Sequence, residues 1–124
     1  MYRLRIESTF DAAHKMEGYK GKCANLHGHT YKVEVFVIAK KLDSIGISFD
    51  LRKLKEKLVK ITDKLDHSFL NNFEDLGNPS SENISRYIFN NMKDLPVDIT
   101  LEKVRIWETP KNWVEYFEDQ SSKH

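Results

Sequence analysis

The sequence predicts an α+β domain with a four-stranded antiparallel sheet and two helices between the second and third strands. Three observations lead there. Apolar and polar side chains alternate with period two in separate runs towards the two ends of the chain. Between those runs lie two stretches whose apolar residues recur at three- and four-residue steps, the spacing of amphipathic helices. The resulting order is ββααββ. Strands and helices that do not alternate singly argue for an antiparallel sheet with helices on one side.

The first strand is expected over residues 2–13 and ends at His14. Tyr2, Leu4 and Ile6 alternate there with Arg3, Arg5 and Glu7. Residues 15–26 hold Gly18, Gly21, Cys23 and several charges, and read as a loop long enough to be functional. Lys15, Lys20 and Lys22 could meet an anionic substrate or only solvate that loop. The second strand covers residues 30–40, rich in Val, Ile, Tyr and Phe. Asp50 is the expected N-cap of the first helix, whose buried stripe is Leu51, Leu54, Leu58, Ile61 and Leu65. Asp66-His67 ends that helix, and residues 68–78 are expected to be a polar turn region. Ser80 is the N-cap of the second helix, with Glu82 in its first turn. Its stripe runs Ile84, Tyr87, Ile88, Met92, Leu95, and Pro96 stops it. The third strand is residues 101–108 and the fourth 113–118. Four strands with two open edges suggest that the edges are closed by oligomerisation.

With 124 residues there is length for one core, so residues 1–120 are expected to form one domain and 121–124 a polar tail. A hydrophobic fraction of 40% with 31% charged residues fits a soluble globular chain. A net charge of +1 gives no reason to expect nucleic-acid binding. No apolar run approaches the ~20 residues of a membrane span, and the alternating N-terminus lacks the apolar centre of a signal peptide. One cysteine leaves no intramolecular disulfide and suits a reducing cytoplasm.

The chemistry concentrates in Cys23-Ala24-Asn25-Leu26-His27-Gly28-His29. In extended backbone, His27 and His29 point to one face. Gly28 removes bulk between them and lets something approach the backbone. His14 ends the preceding strand. Three neutral imidazoles form a known catalytic zinc set with one open position; alternatively His27 and His29 are a surface pair. Asp66-His67 offers an acid/base pair, or a helix terminus with a favourably placed imidazole, and adjacency alone does not make the two hydrogen-bond. Glu108 shares the phase of Val104 and Ile106. Burying a carboxylate without a partner is costly, so it either lies past the buried part or meets a ligand.

Six motifs together resemble the 6-pyruvoyltetrahydropterin synthase family, and within it the 6-carboxy-5,6,7,8-tetrahydropterin synthases of queuosine biosynthesis. They are Phe10-Asp11-Ala12-Ala13-His14, Cys23-x-x-x-His27-Gly28-His29, Gly46-Ile47 with Asp50 and Leu54-Lys55, Leu65-Asp66-His67, Pro79-Ser80-x-Glu82-Asn83, and Trp107-Glu108-Thr109. The resemblance spans nearly the whole chain. Leu51 stands where an aromatic is usual, and Ser80 where Thr is common.

The resemblance implies the tunnelling fold, in which subunits join their sheets into a barrel, commonly a homohexamer of two trimers with sites at subunit interfaces. It implies zinc on His14, His27 and His29, catalytic Cys23, Asp66 and His67, and a pterin-anchoring Glu108. The implied reaction converts 7,8-dihydroneopterin triphosphate to 6-carboxy-5,6,7,8-tetrahydropterin, acetaldehyde and triphosphate. Three residues separate Cys23 from His27, which resembles this branch; five resemble the pyruvoyl synthases. Triphosphate elimination without side-chain cleavage is the alternative activity, and a non-catalytic zinc- and pterin-binding scaffold is a third.

Overall fold

The computed structural model describes residues 1–18 and 25–119. Strand β1 (Tyr2–His14) pairs antiparallel with β2 (His27–Ala39), β2 with β4 (Ile99–Thr109), and β4 with β5 (Asn112–Tyr116). Helices α1 (Leu51–Leu65) and α2 (Ser81–Asn91) intervene between β2 and β4. α1 lies over β1, and α2 over β4 and β5.

The sheet has five strands, not four, and it is mixed. Ser68–Phe69 forms β3, which runs parallel to the end of β1 through Ala12 and Ala13 and makes the order β3-β1-β2-β4-β5. Two residues are too few to carry an alternating pattern, so β3 has no signature in the sequence. His67 creates it. Its φ of 54° lies in the left-handed region, and its backbone N–H donates to the Asp11 carbonyl at 2.5 Å, which turns the chain alongside β1. The rest of the expected turn region consists of two 3-10 turns, Leu70–Asn72 and Glu74–Leu76.

Both N-caps form as the sequence predicts. Asp50 accepts from the Arg52 N–H at 2.9 Å and Ser80 from the Asn83 N–H at 3.1 Å. α2 stops earlier than expected, at Asn91. The residue before a proline avoids the α region, so Leu95 ahead of Pro96 leaves the helix, and the Leu95 N–H turns back to the Lys93 carbonyl. Leu95 still packs on the core from that turn.

The core lies between the helices and one sheet face. Phe10 and Tyr31 stack there at 4.9 Å, covered by Leu54, Leu58 and Leu65 of α1 and Ile84, Ile88 and Phe89 of α2. In β4 the buried phase changes: Ile99 and Leu101 are buried, then Val104 and Ile106. A bulge makes the change. Phe36 faces Lys103 and Val37 faces Leu101, which leaves Glu102 as the extra residue.

The opposite sheet face is a lattice of charge and aromatic rings. Glu34, only 4% exposed, accepts from Arg5 and from the Trp107 indole N–H. Arg105 stacks on Trp113 with its guanidinium carbon 4.3 Å from the ring centre, and Lys103 pairs with Glu115 at 2.9 Å.

Candidate metal centre

At one end of the core face the strands carry histidines instead of aliphatic side chains. His14 and His27 are direct cross-strand partners, and Ala12 faces His29. Even positions of β1 and odd positions of β2 face the helices, so period two brings all three imidazoles to one side. The ring centres lie 4.4 Å (His14–His27), 4.7 Å (His27–His29) and 5.3 Å (His14–His29) apart.

The hydrogen bonds fix which nitrogen of two rings faces inward. His14 Nδ1 donates to the Pro79 carbonyl at 2.8 Å, and His27 Nδ1 donates to the Asn25 carbonyl at 2.6 Å. A carbonyl only accepts, so both Nδ1 atoms carry the proton and both Nε2 atoms offer a lone pair. Those Nε2 atoms face each other at 2.9 Å. His29 Nε2 is buried 2.9 Å from Glu108 Oε1, without the alignment of a hydrogen bond, and has no other partner among the described residues. Burial and the neighbouring His27 and His14 press the His29 pKa down against the pull of Glu108, which keeps the ring a neutral ligand. Convergent lone pairs of this kind suit a cation. Ligand atoms of His14, His27, His29 and Glu108 all lie within 4.8 Å of one another.

Glu108 reaches this cluster through a second bulge. Trp107 faces Trp113 and Thr109 faces Asn112, which leaves Glu108 unpaired towards β5. Ser81 Oγ, in the first turn of α2, donates to Glu108 Oε2 at 2.9 Å. Glu108 also borders a cavity of about 270 Å³ lined by Ile106, Val114, Met16, Ser80 and Ser81.

Asp66 and His67 form a separate group on the β1–β3 edge. His67 Nδ1 lies 2.9 Å from Asp66 Oδ2, a contact that the left-handed backbone of His67 allows although adjacency does not demand it. The Asp11 N–H donates to Asp66 Oδ1 at 2.8 Å and is the main reason that the Asp66 carboxyl titrates below its usual range. His67 shares a shallow hollow with His29 and Thr30, and its side chain is 80% exposed.

Cys23, Lys20 and Lys22 lie outside the described residues. Lys15 holds its backbone against Asn71, whose side chain both accepts from the Lys15 N–H and donates to its carbonyl. A Cβ at Gly28 would meet only the Ala12 carbonyl, at an ordinary 3.5 Å, so this chain's own packing does not require glycine there. Ser81 and the Pro79 and Asn25 carbonyls join the site without any local pattern that announces them. Backbone oxygens have no sequence signature. The serine following an N-cap serine was the available hint, and its relation to Glu108 depends on how α2 meets β4.

A family profile described as 6-pyruvoyl tetrahydropterin synthase matches residues 3–119. The chain is 34% identical to 6-carboxy-5,6,7,8-tetrahydropterin synthase of Haemophilus influenzae, over 95% of this chain and all of that protein. It is 37% identical to dihydroneopterin monophosphate aldolase of Pyrococcus furiosus, over 86% of this chain and 89% of that one. The solved structure of Caenorhabditis elegans 6-pyruvoyl tetrahydropterin synthase superposes with a TM-score of 0.83 at 31% identity, covering 95% of this chain and 96% of that one.

Proposed function

The chain belongs to the 6-pyruvoyl tetrahydropterin synthase family, and from that premise we propose that it is a zinc-dependent carbon–carbon lyase. Its substrate is 7,8-dihydroneopterin triphosphate, and its products are 6-carboxy-5,6,7,8-tetrahydropterin, acetaldehyde and triphosphate. The observation that carries the reading is the convergence of three imidazoles on one point beside a carboxylate that opens onto a cavity. Likeness to the Haemophilus protein and the three-residue spacer between Cys23 and His27 favour this branch.

His14, His27 and His29 would hold the zinc. Bound there, it supplies Lewis-acid polarisation of the oxygens on the substrate side chain. Glu108 accepts the ring N–H and exocyclic amine of the pterin, which lie side by side and match the two oxygens of one carboxylate. The Ile106 and Val114 side of the cavity meets the flat ring. Cys23, as thiolate, moves a proton at the side-chain carbon next to the ring. His67, oriented by Asp66, is the partner acid and base. The exposure of His67 fits a site completed between subunits of a homohexamer. The setting is cytoplasmic; no helix among the described residues is long and apolar enough to cross a membrane.

Product analysis tests the reaction. Zinc-loaded protein is incubated with 7,8-dihydroneopterin triphosphate, the pterin is identified by mass, and acetaldehyde is assayed. Carboxy-tetrahydropterin with acetaldehyde is expected. Pyruvoyl-tetrahydropterin without acetaldehyde would move the chain to the other synthase branch. Release of a phosphorylated aldehyde would move it towards the aldolase that the Pyrococcus relative is named for.

A further inference from the structure

Glu108 stands at the edge of two sites at once. Its Oε1 lies 2.9 Å from His29 Nε2, within the four-residue cluster of ligand atoms. Its other oxygen is held by Ser81, and the side chain, 31% exposed, borders the cavity read above as the pterin pocket. We propose that Glu108 is a ligand with two stations: without pterin it fills the fourth position of the metal held by His14, His27 and His29, and pterin binding draws it off. This rests on the proposed function, because it assumes that Glu108 anchors the pterin.

Ligand geometry supports the first station. A tetrahedron with metal bonds of about 2.0–2.1 Å has edges of roughly 3.3 Å. The His14–His27 and His29–Glu108 atom pairs at 2.9 Å, in a set spanning at most 4.8 Å, bracket that edge. His29 Nε2 is buried beside the carboxylate without a hydrogen bond to it, as two acceptors aimed at a common cation would be. The unpaired bulge position lets the Glu108 side chain turn without breaking a ladder bond towards β5.

The two stations compete for Glu108 Oε1. Anchoring the pterin uses both carboxylate oxygens on two adjacent N–H groups, and ligating the metal takes Oε1 away from that pair. The pterin therefore frees a coordination position at the moment the substrate side chain arrives to use it. With the pocket empty, His14, His27, His29 and Glu108 would together hold the metal.

Cobalt-substituted protein tests this, because its visible absorption reports the ligand set directly. The probe is pterin without a side chain, which has no hydroxyl groups to compete for the metal, and its binding is followed separately by fluorescence. The expected result is a wild-type spectrum that changes as pterin saturates. Glu108→Ala and Glu108→Gln should differ from wild type without pterin and stay unchanged when it is added. Zinc should also leave Glu108→Ala to a chelator at least about tenfold faster than wild type, and pterin should speed the loss from wild type in the same direction. Coincident cobalt spectra of wild type and both variants overturn the proposal. Pterin that binds wild type without moving the spectrum overturns the exchange and leaves the proposed function standing. Wild type that binds no pterin overturns both.

Discussion

Glu102 decides which face of the sheet Glu108 occupies. Glu102 is the extra residue where β4 passes Phe36 and Val37, and it moves every later side chain of the strand to the other phase. Leu101 and Val104 are both buried because of it, and Glu108 follows Val104 and Ile106 to the helix side.

Deleting Glu102 should leave the sheet folded. Leu101, Val104 and Ile106 would then alternate strictly with Lys103 and Arg105, so each keeps its present face without a bulge. A cooperative thermal transition by circular dichroism is expected. Glu102→Gly keeps the extra residue and gives up the exposed, solvent-screened Arg3–Glu102 ion pair. That variant should melt cooperatively, within a few degrees of the parent. A deletion variant that loses the transition while the glycine variant keeps it would show that Glu102 is more than an extra residue in the ladder.

His27→Ala should lose the metal. Two inward lone pairs are fixed by the Pro79 and Asn25 carbonyls, and removing one leaves His14 without its facing ligand. Even changes behind the ligands weaken metal binding about 10–100-fold, so loss of a ligand should exceed that range. Zinc retained after dialysis against a chelator is the measurement. Undiminished zinc in the variant would break the assignment.

Asp66→Asn should slow turnover and spare the metal. Asp66 accepts from the Asp11 N–H and holds His67 Nδ1, so the amide leaves the fold intact but misorients the imidazole. A fall in kcat of about 10²–10⁴ is expected, with zinc content unchanged. Full activity in Asp66→Asn would remove the Asp66–His67 pair from the proposed mechanism.

Glu34 should make the fold sensitive to acid. Burial pushes its carboxyl up, but the Trp107 indole and the Arg5 and Arg105 guanidiniums outweigh burial and hold it below its ordinary 4.5. A carboxyl lowered by folding adds stability that is complete above its ordinary range and is lost as the pH falls through the lowered value. Glu34→Gln should therefore have a lower Tm than the parent at pH 7, and the two should converge as the pH falls below 4.5. A gap that stays constant to pH 3 or widens would contradict this.

Local pattern in the amino-acid sequence is enough to place most of the elements. Alternation marks β1, β2 and β4, three- and four-residue steps mark α1 and α2, and Asp50 and Ser80 begin the helices where a side-chain oxygen can take the free N–H groups. His27 and His29 share a face for the same local reason, and the six motifs name the family. Tertiary structure decided what depends on pairing between distant segments. Period two says which side a residue faces but not what lies opposite it. That His14 sits across from His27 follows only from the β1–β2 register. The Glu102 bulge, the parallel strand β3, the Asp66–His67 contact and the meeting of Glu108 with both His29 and Ser81 each join residues far apart in the chain or a backbone turn that no local repeat announces. Their energies come from hydrogen bonds and burial that exist only after the sheet and helices have met, so the identities of single residues carry no trace of them.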